Sequence, residues 1–350
     1  MRFVHIADVH LGMQPDRGRA WSEERGKDIW RSFEGVIDFI KKEKIDLLLI
    51  AGDLFHHQPL VRELKELNYL FTTIPQCKVV IMAGNHDYLR KDSNYLSFKF
   101  SKNVNMFMSR TMSSFYFEDI GTEVFGLSYD SREISYPLYQ NIHPSHSDRF
   151  NILLAHGGDD KHIPMKKEEM SKSGFHYIAL GHIHKPEILI PDTMAYAGSL
   201  EPTDCNDMGS RGFILGECRG SKVRIQQVFC NLRTYVELQI QVNGDTTNME
   251  LRELVSNLIE EDGGNNIYKV QIIGYKDPEV EFDLDSIYPL GDIISVEDQS
   301  EPDYDFQRLS KLHGDNLIGR YIHHFTQQGL DESKKNALYY GVQALLDSKR

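Results

Sequence analysis

MRFVHIADVHLG, residues 1–12, places a short apolar run directly before Asp8 and His10. The same arrangement returns in DLLLIAGDLFHH (46–57), VVIMAGNHDYLR (79–90), FNILLAHGG (150–158) and HYIALGHIHKP (176–186). Each apolar run has the length and the Leu-rich or β-branched composition of a buried strand. Five predicted strands therefore end in Asp, His or Asn, which are side chains that bind metals.

The regions between these strands predict an α/β layered fold. Apolar residues recur at helical spacing in about 27–43 and 60–73, between predicted strands at 2–7, 45–50 and 78–83. Further strands are predicted at 104–108, 114–117, 123–127, 150–155 and 176–180, and RGFILGE with KVRIQQVF predicts an antiparallel hairpin around CRGS. Strands that alternate with helices are typical of a domain with a buried sheet.

Length and charge predict how the chain divides. A chain of 350 residues is longer than one average domain. Residues 231–302 carry 16 Asp or Glu against 4 Lys or Arg, within a formal net charge of −13. We therefore expect a first domain at 1–230, an acidic strand–helix–strand domain at 231–302 and a helical segment at 303–350. The last reads as two helices with a break at GLDES, and either packs on its own domain or docks a partner.

Composition also limits the class of protein. No run of about 18 apolar residues could span a membrane, and the N-terminal run lacks the features of a signal peptide. Four scattered cysteines without a C-x-x-C pair fit a reducing cytoplasm better than a disulfide framework or a zinc ribbon. The acidic balance argues against nucleic-acid binding through bulk charge, although the nearly neutral first domain leaves an anionic substrate open.

The side chains at the strand ends predict a metal centre, because the carboxyl ends of strands meet at one edge of an α/β sheet. The candidates are Asp8, His10, Asp53, Asn85, His86, Asp87, His156, His182 and His184. Carboxylate, amide and imidazole donors without thiolate suit Mn²⁺, Fe²⁺ or Zn²⁺ and disfavour a Ca²⁺ cage. So many donors fit two ions about 3.5–4 Å apart, which clamp the attacking and leaving oxygens of a displacement at phosphorus.

Each motif alone has an ordinary alternative. D-x-H arises by chance, GNHD is compatible with a common turn, and GHIH could be two surface histidines. The prediction depends on their occurrence together, in this order and each at the end of an apolar strand.

The ordered set D-x-H, G-D, G-N-H-D, a lone His and G-H-x-H resembles the calcineurin-like metallophosphoesterase superfamily. More narrowly, HIADVHLG, LIAGDLFHH, GNHD, ALGHIHKP and YAGSLEP resemble the SbcD-type DNA repair exonucleases, the nuclease partners of an SMC-like coiled-coil ATPase. The resemblance covers residues 1 to about 220 and, in outline only, 231–300. It implies a two-sheet sandwich flanked by helices, followed by a small capping domain of helix and strand and by C-terminal helices.

Carried over by position, the resemblance assigns the ligands to two divalent ions, for which Mn²⁺ is expected. Asp8, His10 and His184 would hold one ion, and Asn85, His156 and His182 would hold the other. Asp53 would bridge them, since a shared anion offsets the repulsion between two dications. Such a centre activates water for attack on phosphorus.

The resemblance also implies roles for the neighbouring histidines. His86 would protonate the departing sugar oxygen, and Asp87 would orient His86, with a capping Asp in a turn as the alternative. His56 matches a histidine that positions the scissile phosphodiester, whereas His57 has no counterpart and is expected at the surface.

Contacts to DNA and to a second copy are the least defined expectations. Candidate substrate contacts are Arg17, Arg19, Arg25, Lys27, Arg90, Lys91, Tyr196 and Ser199. Basic loop residues could neutralise phosphates, but a solvated surface is the alternative for each, as a structural turn is for YAGSLEP. VRELKELNYLF and SNYLSFKF could form a homodimer interface or pack on their own sheet.

Three functions follow, of which the first is preferred. It is a Mn²⁺-dependent DNA exonuclease or endonuclease acting on DNA ends under an SMC-like ATPase. The second is a stand-alone phosphoesterase for a small phosphodiester, which has less use for the residues after 231. The third is a scaffold, which would not need a complete set of ligands. IGRYIHHF and ALYYGVQALLD differ from the commonest SbcD pattern, so the identity of the ATPase partner stays open.

Overall fold

The computed structural model describes residues 1–220, 222–314, 316–327 and 331–348. The chain divides into two units, Met1–Tyr235 and Val236–Arg350. Among the described residues, no helix combines the length and the apolar composition that a membrane span requires.

The first unit is built from strands and helices in the alternation that the sequence predicts. In chain order they are β1 (Arg2–Ile6), α1 (Ser22–Glu43), β2 (Leu47–Ala51), α2 (Val61–Thr72), β3 (Lys78–Met82), β4 (Val104–Met106), β5 (Ser113–Phe117), β6 (Thr122–Gly126), β7 (Phe150–His156), α3 (Lys167–Met170), β8 (Tyr177–Gly181), β9 (Glu187–Ile190), β10 (Met194–Tyr196), β11 (Gly212–Arg219) and β12 (Lys222–Phe229).

These strands form two six-stranded sheets, which confirms the predicted α/β fold. The first sheet has the order β12-β11-β1-β2-β3-β4, and the second has the order β5-β6-β7-β8-β10-β9. β1 to β4 are parallel to one another, as are β6, β7, β8 and β10. The predicted hairpin is the antiparallel pair β11 and β12, although position 221 in its turn lies outside the described residues. Because β1, β2 and β3 run the same way, their carboxyl ends share one edge of the first sheet.

Alternation along β2 shows how the layers form. Leu47 and Leu49 lie in a buried cluster with side chains of the second sheet. Leu48 and Ile50, on the opposite face, lie in a cluster with α1 and α2. A strand buried on both faces needs a continuous apolar sequence, and each such side chain stabilises the fold by about 1.5–3 kcal/mol.

Helix α1 packs one apolar face on the first sheet. Ile29, Phe33, Val36 and Ile40 recur at helical spacing and are fully buried. Lys44 ends the helix in a left-handed conformation, and its N–H donates to the carbonyl of Ile40. The helix begins about five residues before the predicted start, because its first turn is polar and carries no apolar periodicity.

The second unit contains the predicted strand, helix and strand. Its elements are β13 (Tyr235–Val242), α4 (Asn248–Glu261), β14 (Ile267–Lys276), β15 (Ile293–Asp298), β16 (Glu301–Pro302), α5 (Phe306–His313), α6 (Leu317–Thr326) and α7 (Glu332–Asp347). A reciprocal capping box between Thr247 and Glu250 starts α4.

The prediction of two C-terminal helices was wrong, since the described segment has three. Asn316 breaks the first predicted helix, because its side chain accepts hydrogen bonds from the amides of Ile318 and Gly319 and starts a new helix there. The predicted break at GLDES falls partly on residues 328–330, outside the described residues. A small apolar core that includes Ile318, Ile322 and Leu338 joins the helices.

Candidate metal centre

The carboxyl ends of five strands bring all seven predicted ligands together. Asp8, Asp53 and Asn85 follow β1, β2 and β3 of the first sheet. His156 ends β7 and His182 follows β8 of the second sheet. The ligand side chains fall into two groups.

The first group consists of Asp8, His10 and His184, whose ligand atoms all lie within 4.8 Å of one another. The Nε2 atoms of His10 and His184 are 3.0 Å apart. On the other side of the His184 ring, Nδ1 donates to the Thr203 hydroxyl at 2.8 Å, and this hydroxyl donates to Asp207 at 2.6 Å. These bonds leave Nε2 of His184 facing the group.

The second group contains Asp53, His156 and His182 within the same 4.8 Å limit. Asn85 belongs with them, because its Oδ1 lies 2.9 Å from His156 Nε2 and 3.0 Å from His182 Nδ1. His156 Nδ1 donates to the carbonyl of Ala51 at 2.8 Å. His156 therefore presents Nε2 to the group, whereas His182 presents Nδ1.

Both groups fit a divalent ion. Neighbouring ligands on one ion lie about 3 Å apart when the metal–ligand bonds are about 2.1 Å long. The separations between donor atoms match this spacing, and the donors are nitrogen and oxygen without thiolate. Imidazoles that bind metals characteristically have their second nitrogen held by the protein, as His156 and His184 do here.

The backbone at the strand ends adopts a conformation that is costly for residues with a side chain. Positive φ angles occur at Asp8 (49°), His10 (53°), Asp53 (48°) and His182 (101°). Such conformations cost of order 1–3 kcal/mol and persist where the surroundings enforce them, often at functional sites. Here they turn the chain sharply after each strand and aim the side chain across the edge of the sheets.

Two motif glycines are required by close approach. A Cβ atom at Gly52 would lie 2.4 Å from Nδ1 of His156, and one at Gly84 would lie 2.2 Å from Oδ1 of Asp53. Gly52 also has a φ of +86°. The glycines of GD and GNHD therefore make room for the ligands of the second group.

Asp53 influences both groups electrostatically. Burial alone would raise the pKa of its carboxyl, but attraction to His156, His10 and His86 holds that pKa below its usual range. Burial also disfavours the charged form of His156, but Asp53, Asp8 and the carbonyl of Ala51 together raise the pKa of His156 to about 9. Burial lowers the pKa of His10 well below 6.5, against the opposing attraction of Asp53. Metal binding requires neutral imidazoles, so a dication held by this group would take the place of a proton on His156.

His86 and His56 form a pair beside the ligands. Their rings are stacked, with centroids 5.0 Å apart and an angle of 29° between the planes. His86 Nδ1 lies 3.1 Å from the carbonyl of His56, and the His86 amide donates to Oδ1 of Asp53 at 2.8 Å. His57 is 43% exposed and lies 3.6 Å from Glu63, as expected for a surface residue.

Asp87 does not contact the His86 ring among the described hydrogen bonds, contrary to the role predicted for it. Its carboxylate accepts hydrogen bonds from the amides of Gly84 and Phe55 and from the hydroxyl of Tyr95. Burial and then the Asp53 charge raise the pKa of Asp87 to about 7. The structure places Asp87 as a brace for the turn at GNHD, and the carbonyl of His56 takes the position expected of an orienting group.

The predicted basic contacts differ in their surroundings. Arg17 and Arg19 are exposed on the loop after His10, and the Arg19 guanidinium lies 5.9 Å from the centre of the Trp21 ring. Arg90 is 45% exposed and pairs with Asp92. Pairing with an acid reduces the charge that a basic residue offers to a phosphate.

Lys91 is exposed, whereas Lys27 pairs with Glu23 and Glu24 on the surface of α1.

Three predicted substrate contacts are contradicted by burial. Arg25 is completely buried and pairs with Glu201 at 3.0 Å. Ser199 is also completely buried. Tyr196 is 8% exposed, and its hydroxyl donates to the carbonyl of Gly157. The Arg25 and Tyr196 side chains instead bind other segments of this chain.

Two carboxylates of the centre were missed by sequence reasoning. Asp159 lies 2.7 Å from Nε2 of His182, and Asp207 lies 3.6 Å from Nδ1 of His184. HGGDD, which follows the lone histidine, could have drawn attention to Asp159. Asp207 lies in no recognisable pattern, and only the folded loop brings it to His184.

Comparison with known proteins agrees with this geometry. The sequence model described as calcineurin-like phosphoesterase matches residues 1–186. The DNA double-strand break repair protein Mre11 of Methanocaldococcus jannaschii is 30% identical, over 69% of this chain and 70% of its own length. The D component of the nuclease SbcCD of Staphylococcus epidermidis is 24% identical, over 99% of both chains.

The uncharacterized metallophosphoesterase YhaO of Bacillus subtilis is 30% identical over 61% of this chain, which spans 57% of that relative. The matched family stretch, residues 1–186, includes all seven predicted ligands. Members of this family use divalent metals, and the two ligand groups are clusters of side chains that could bind them. The chain therefore belongs to the calcineurin-like phosphoesterase family.

Proposed function

We propose that this protein is a Mn²⁺-dependent nuclease that hydrolyses phosphodiesters at DNA ends, as the nuclease subunit of a double-strand-break repair complex. The observation that carries the proposal is the convergence of two complete ligand groups beside the His86–His56 pair. The names of the Mre11 and SbcCD relatives support DNA as the substrate.

Asp8, His10 and His184 would hold one ion, and Asn85, His156 and His182 would hold the other. Asp53 would bridge the ions, which is supported by its effect on the pKa of histidines in both groups. When bound, two divalent ions lower the pKa of water to near neutrality and stabilise charge on the phosphoryl oxygens. The mixture of imidazole with oxygen donors favours Mn²⁺ over Mg²⁺, which prefers oxygen ligands.

His86 would be the proton donor to the leaving sugar oxygen. Its Nδ1–H is directed at the carbonyl of His56, so that Nε2 is the nitrogen that can carry the transferred proton. A positioned acid of this kind contributes about 10²–10⁴-fold to the rate. His56 would position the scissile phosphodiester, since its ring stacks on His86 and its Nδ1 lies 3.4 Å from that of His10.

Arg17, Arg19 and Arg90 would contact DNA phosphates. Because the basic residues near the centre are sparse, an SMC-like ATPase would supply much of the DNA affinity. We expect residues 303–350 to dock it. Four free cysteines fit a reducing cytoplasm.

The protein would also form a homodimer through α2, which is supported by the exposure of Tyr69 on that helix.

End-labelled single-stranded, double-stranded and hairpin DNA, incubated with Mn²⁺ or Mg²⁺ and with or without the ATPase, tests the proposal. We expect nucleotide release that depends on Mn²⁺ and increases with the ATPase. Hydrolysis of bis-p-nitrophenyl phosphate without DNA cleavage, even with the ATPase, would indicate a small phosphodiester as the substrate. Inactivity towards both substrates with tight ATPase binding would indicate a scaffold.

A further inference from the structure

We propose that Asp159 is a positioning residue for one of the two ions. By accepting a hydrogen bond from Nε2 of His182, it fixes the neutral ring in the tautomer whose Nδ1 lone pair is available to a divalent cation. The inference rests on the two-ion centre proposed above.

The hydrogen-bond geometry determines the tautomer. Oδ2 of Asp159 lies 2.7 Å from Nε2 of His182, and an ionised carboxylate can only accept. In the neutral ring the proton is therefore on Nε2, and Nδ1 carries the lone pair. Nδ1 lies 3.0 Å from Oδ1 of Asn85, which is also an acceptor. Two acceptors at this distance repel each other unless a cation lies between them.

Asp159 is held in place independently of His182. Its Oδ1 accepts hydrogen bonds from the amides of Lys161 and His162 at 2.8 and 2.9 Å. The His162 ring adds a contact of 2.9 Å through Nδ1, and the amide of Gly158 closes the loop on the carbonyl of His162 at 2.8 Å. The carboxylate is thus fixed by its own loop, although its side chain is 47% exposed.

The effect is confined to one ligand group. In the other group, His184 donates to the Thr203 hydroxyl, which in turn donates to Asp207. Neither Thr203 nor Asp207 contacts His182 in the described hydrogen bonds. A change at Asp159 should therefore weaken the binding of one ion and leave the binding of the other unaffected.

Asp159→Asn separates the orienting role from the role in the loop. Asn forms the same side-chain turn through Oδ1, so the amides of Lys161 and His162 keep their acceptor. Its NH₂ group then faces Nε2 of His182, which favours the opposite tautomer and places N–H where the ion should bind. Loss of such a partner lowers metal affinity about 10–100-fold. Asp160→Asn is the matched control, because it makes the same charge change at an exposed neighbour.

The measurement is calorimetric titration of the metal-free full-length chain with Mn²⁺, together with its metal-free melting temperature. We expect two ions in the wild type and in Asp160→Asn. In Asp159→Asn we expect one ion to bind with wild-type affinity and the second to bind about 10–100-fold more weakly. The melting temperature of the metal-free variant should be unchanged.

Wild-type affinity for both ions in Asp159→Asn would overturn the proposal. Weaker binding of both ions together with a lower melting temperature of the metal-free variant would also overturn it. Asp159 would then act by stabilising the loop. Asp159→Ala adds a further check, since tolerance of Asn with loss in Ala would assign the residue to the turn alone. Fewer than two ions in the wild type would instead remove the proposed centre, and this inference with it.

Discussion

Single residues in the metal centre are oriented by two kinds of partner. The carbonyl of Ala51 holds His156, and the carbonyl of His56 faces His86. Substitution cannot remove a backbone carbonyl, so these two rings should keep their orientation in variants of the surrounding side chains. His182 instead depends on the Asp159 side chain. His184 likewise depends on the Thr203 hydroxyl. Sensitivity to mutation outside the ligands should therefore be greatest around His182 and His184.

His86→Ala should retain both ions and lose about 10²–10⁴-fold in turnover, because a proton donor is removed while the two ligand groups stay intact. Nucleotide release from linear DNA, whose sugar leaving group needs protonation, and calorimetric titration with Mn²⁺ measure the two properties. His57→Ala, which removes an adjacent histidine at the surface, should hydrolyse at the wild-type rate. Loss of an ion in His86→Ala would instead make His86 a ligand.

His5 predicts a pH dependence of stability. It is completely buried in β1, and burial lowers its pKa to about 3, against about 6.5 in the unfolded chain. The contribution of His5 to stability is thus present above pH 6.5 and is lost as pH falls towards 3. Between those values, the unfolded chain binds a proton that the folded chain does not, which costs up to about 1.4 kcal/mol per pH unit.

Urea unfolding with a chelator at pH 7.5 and pH 5.5 tests this, with His5→Gln as the comparison. The wild type should lose more free energy of unfolding between the two pH values than the variant does. Equal losses would show that His5 does not contribute.

Among the elements, helix α1 is joined to distant segments by buried ionic contacts. Arg25 pairs with Glu201 and donates to the carbonyl of Pro202 at 2.7 Å. The other oxygen of Glu201 accepts hydrogen bonds from the Ser32 hydroxyl and from the amide of Leu232. YAGSLEP therefore includes a carboxylate that connects α1 to the end of the first unit.

Arg25→Met should lower the free energy of unfolding by about 3–5 kcal/mol, because it leaves Glu201 buried without a counter-charge. Urea unfolding measures the loss. The double variant Arg25→Met/Glu201→Gln should recover part of it, since neither charge then remains. A loss below about 1 kcal/mol in the single variant would mean that water or another cation reaches Glu201.

Sequence periodicity predicted the long buried elements but not the short ones or the buried polar contacts. β2 is apolar throughout because both faces are buried, and this makes it easy to recognise. β9 and β10 have four and three residues, too few to show a period. The burial of Arg25 is not predictable, because its partner Glu201 is remote in sequence. The seven candidate metal ligands stand out in the sequence because each lies at or just after the end of a strand.

At the scale of the whole molecule, each unit has its own apolar cores. Val4, Leu48 and Phe33 belong to a core of the first unit, whereas Ile240, Val255 and Val270 belong to a core of the second. All candidate ligands lie in the first unit. Metal binding and hydrolysis of a small phosphodiester should therefore require only that unit.

A fragment of residues 1–235 should bind two ions and hydrolyse bis-p-nitrophenyl phosphate at the rate of the full-length chain. DNA cleavage stimulated by the ATPase should be lost, since the expected docking segment is absent. Calorimetry and the two assays test this with the full-length chain as control. Loss of one ion, or a fall of more than about tenfold in the small-substrate rate, would mean that the second unit contributes to the centre.

The ligands extend along the chain from Asp8 to His184, and the strands before them must pair before the donors can meet. A growing polypeptide that has not yet passed β8 therefore lacks a donor in each coordination sphere. Both ions can therefore bind only after synthesis has passed His184, about halfway along the 350 residues. Shorter nascent chains would lack phosphoesterase activity.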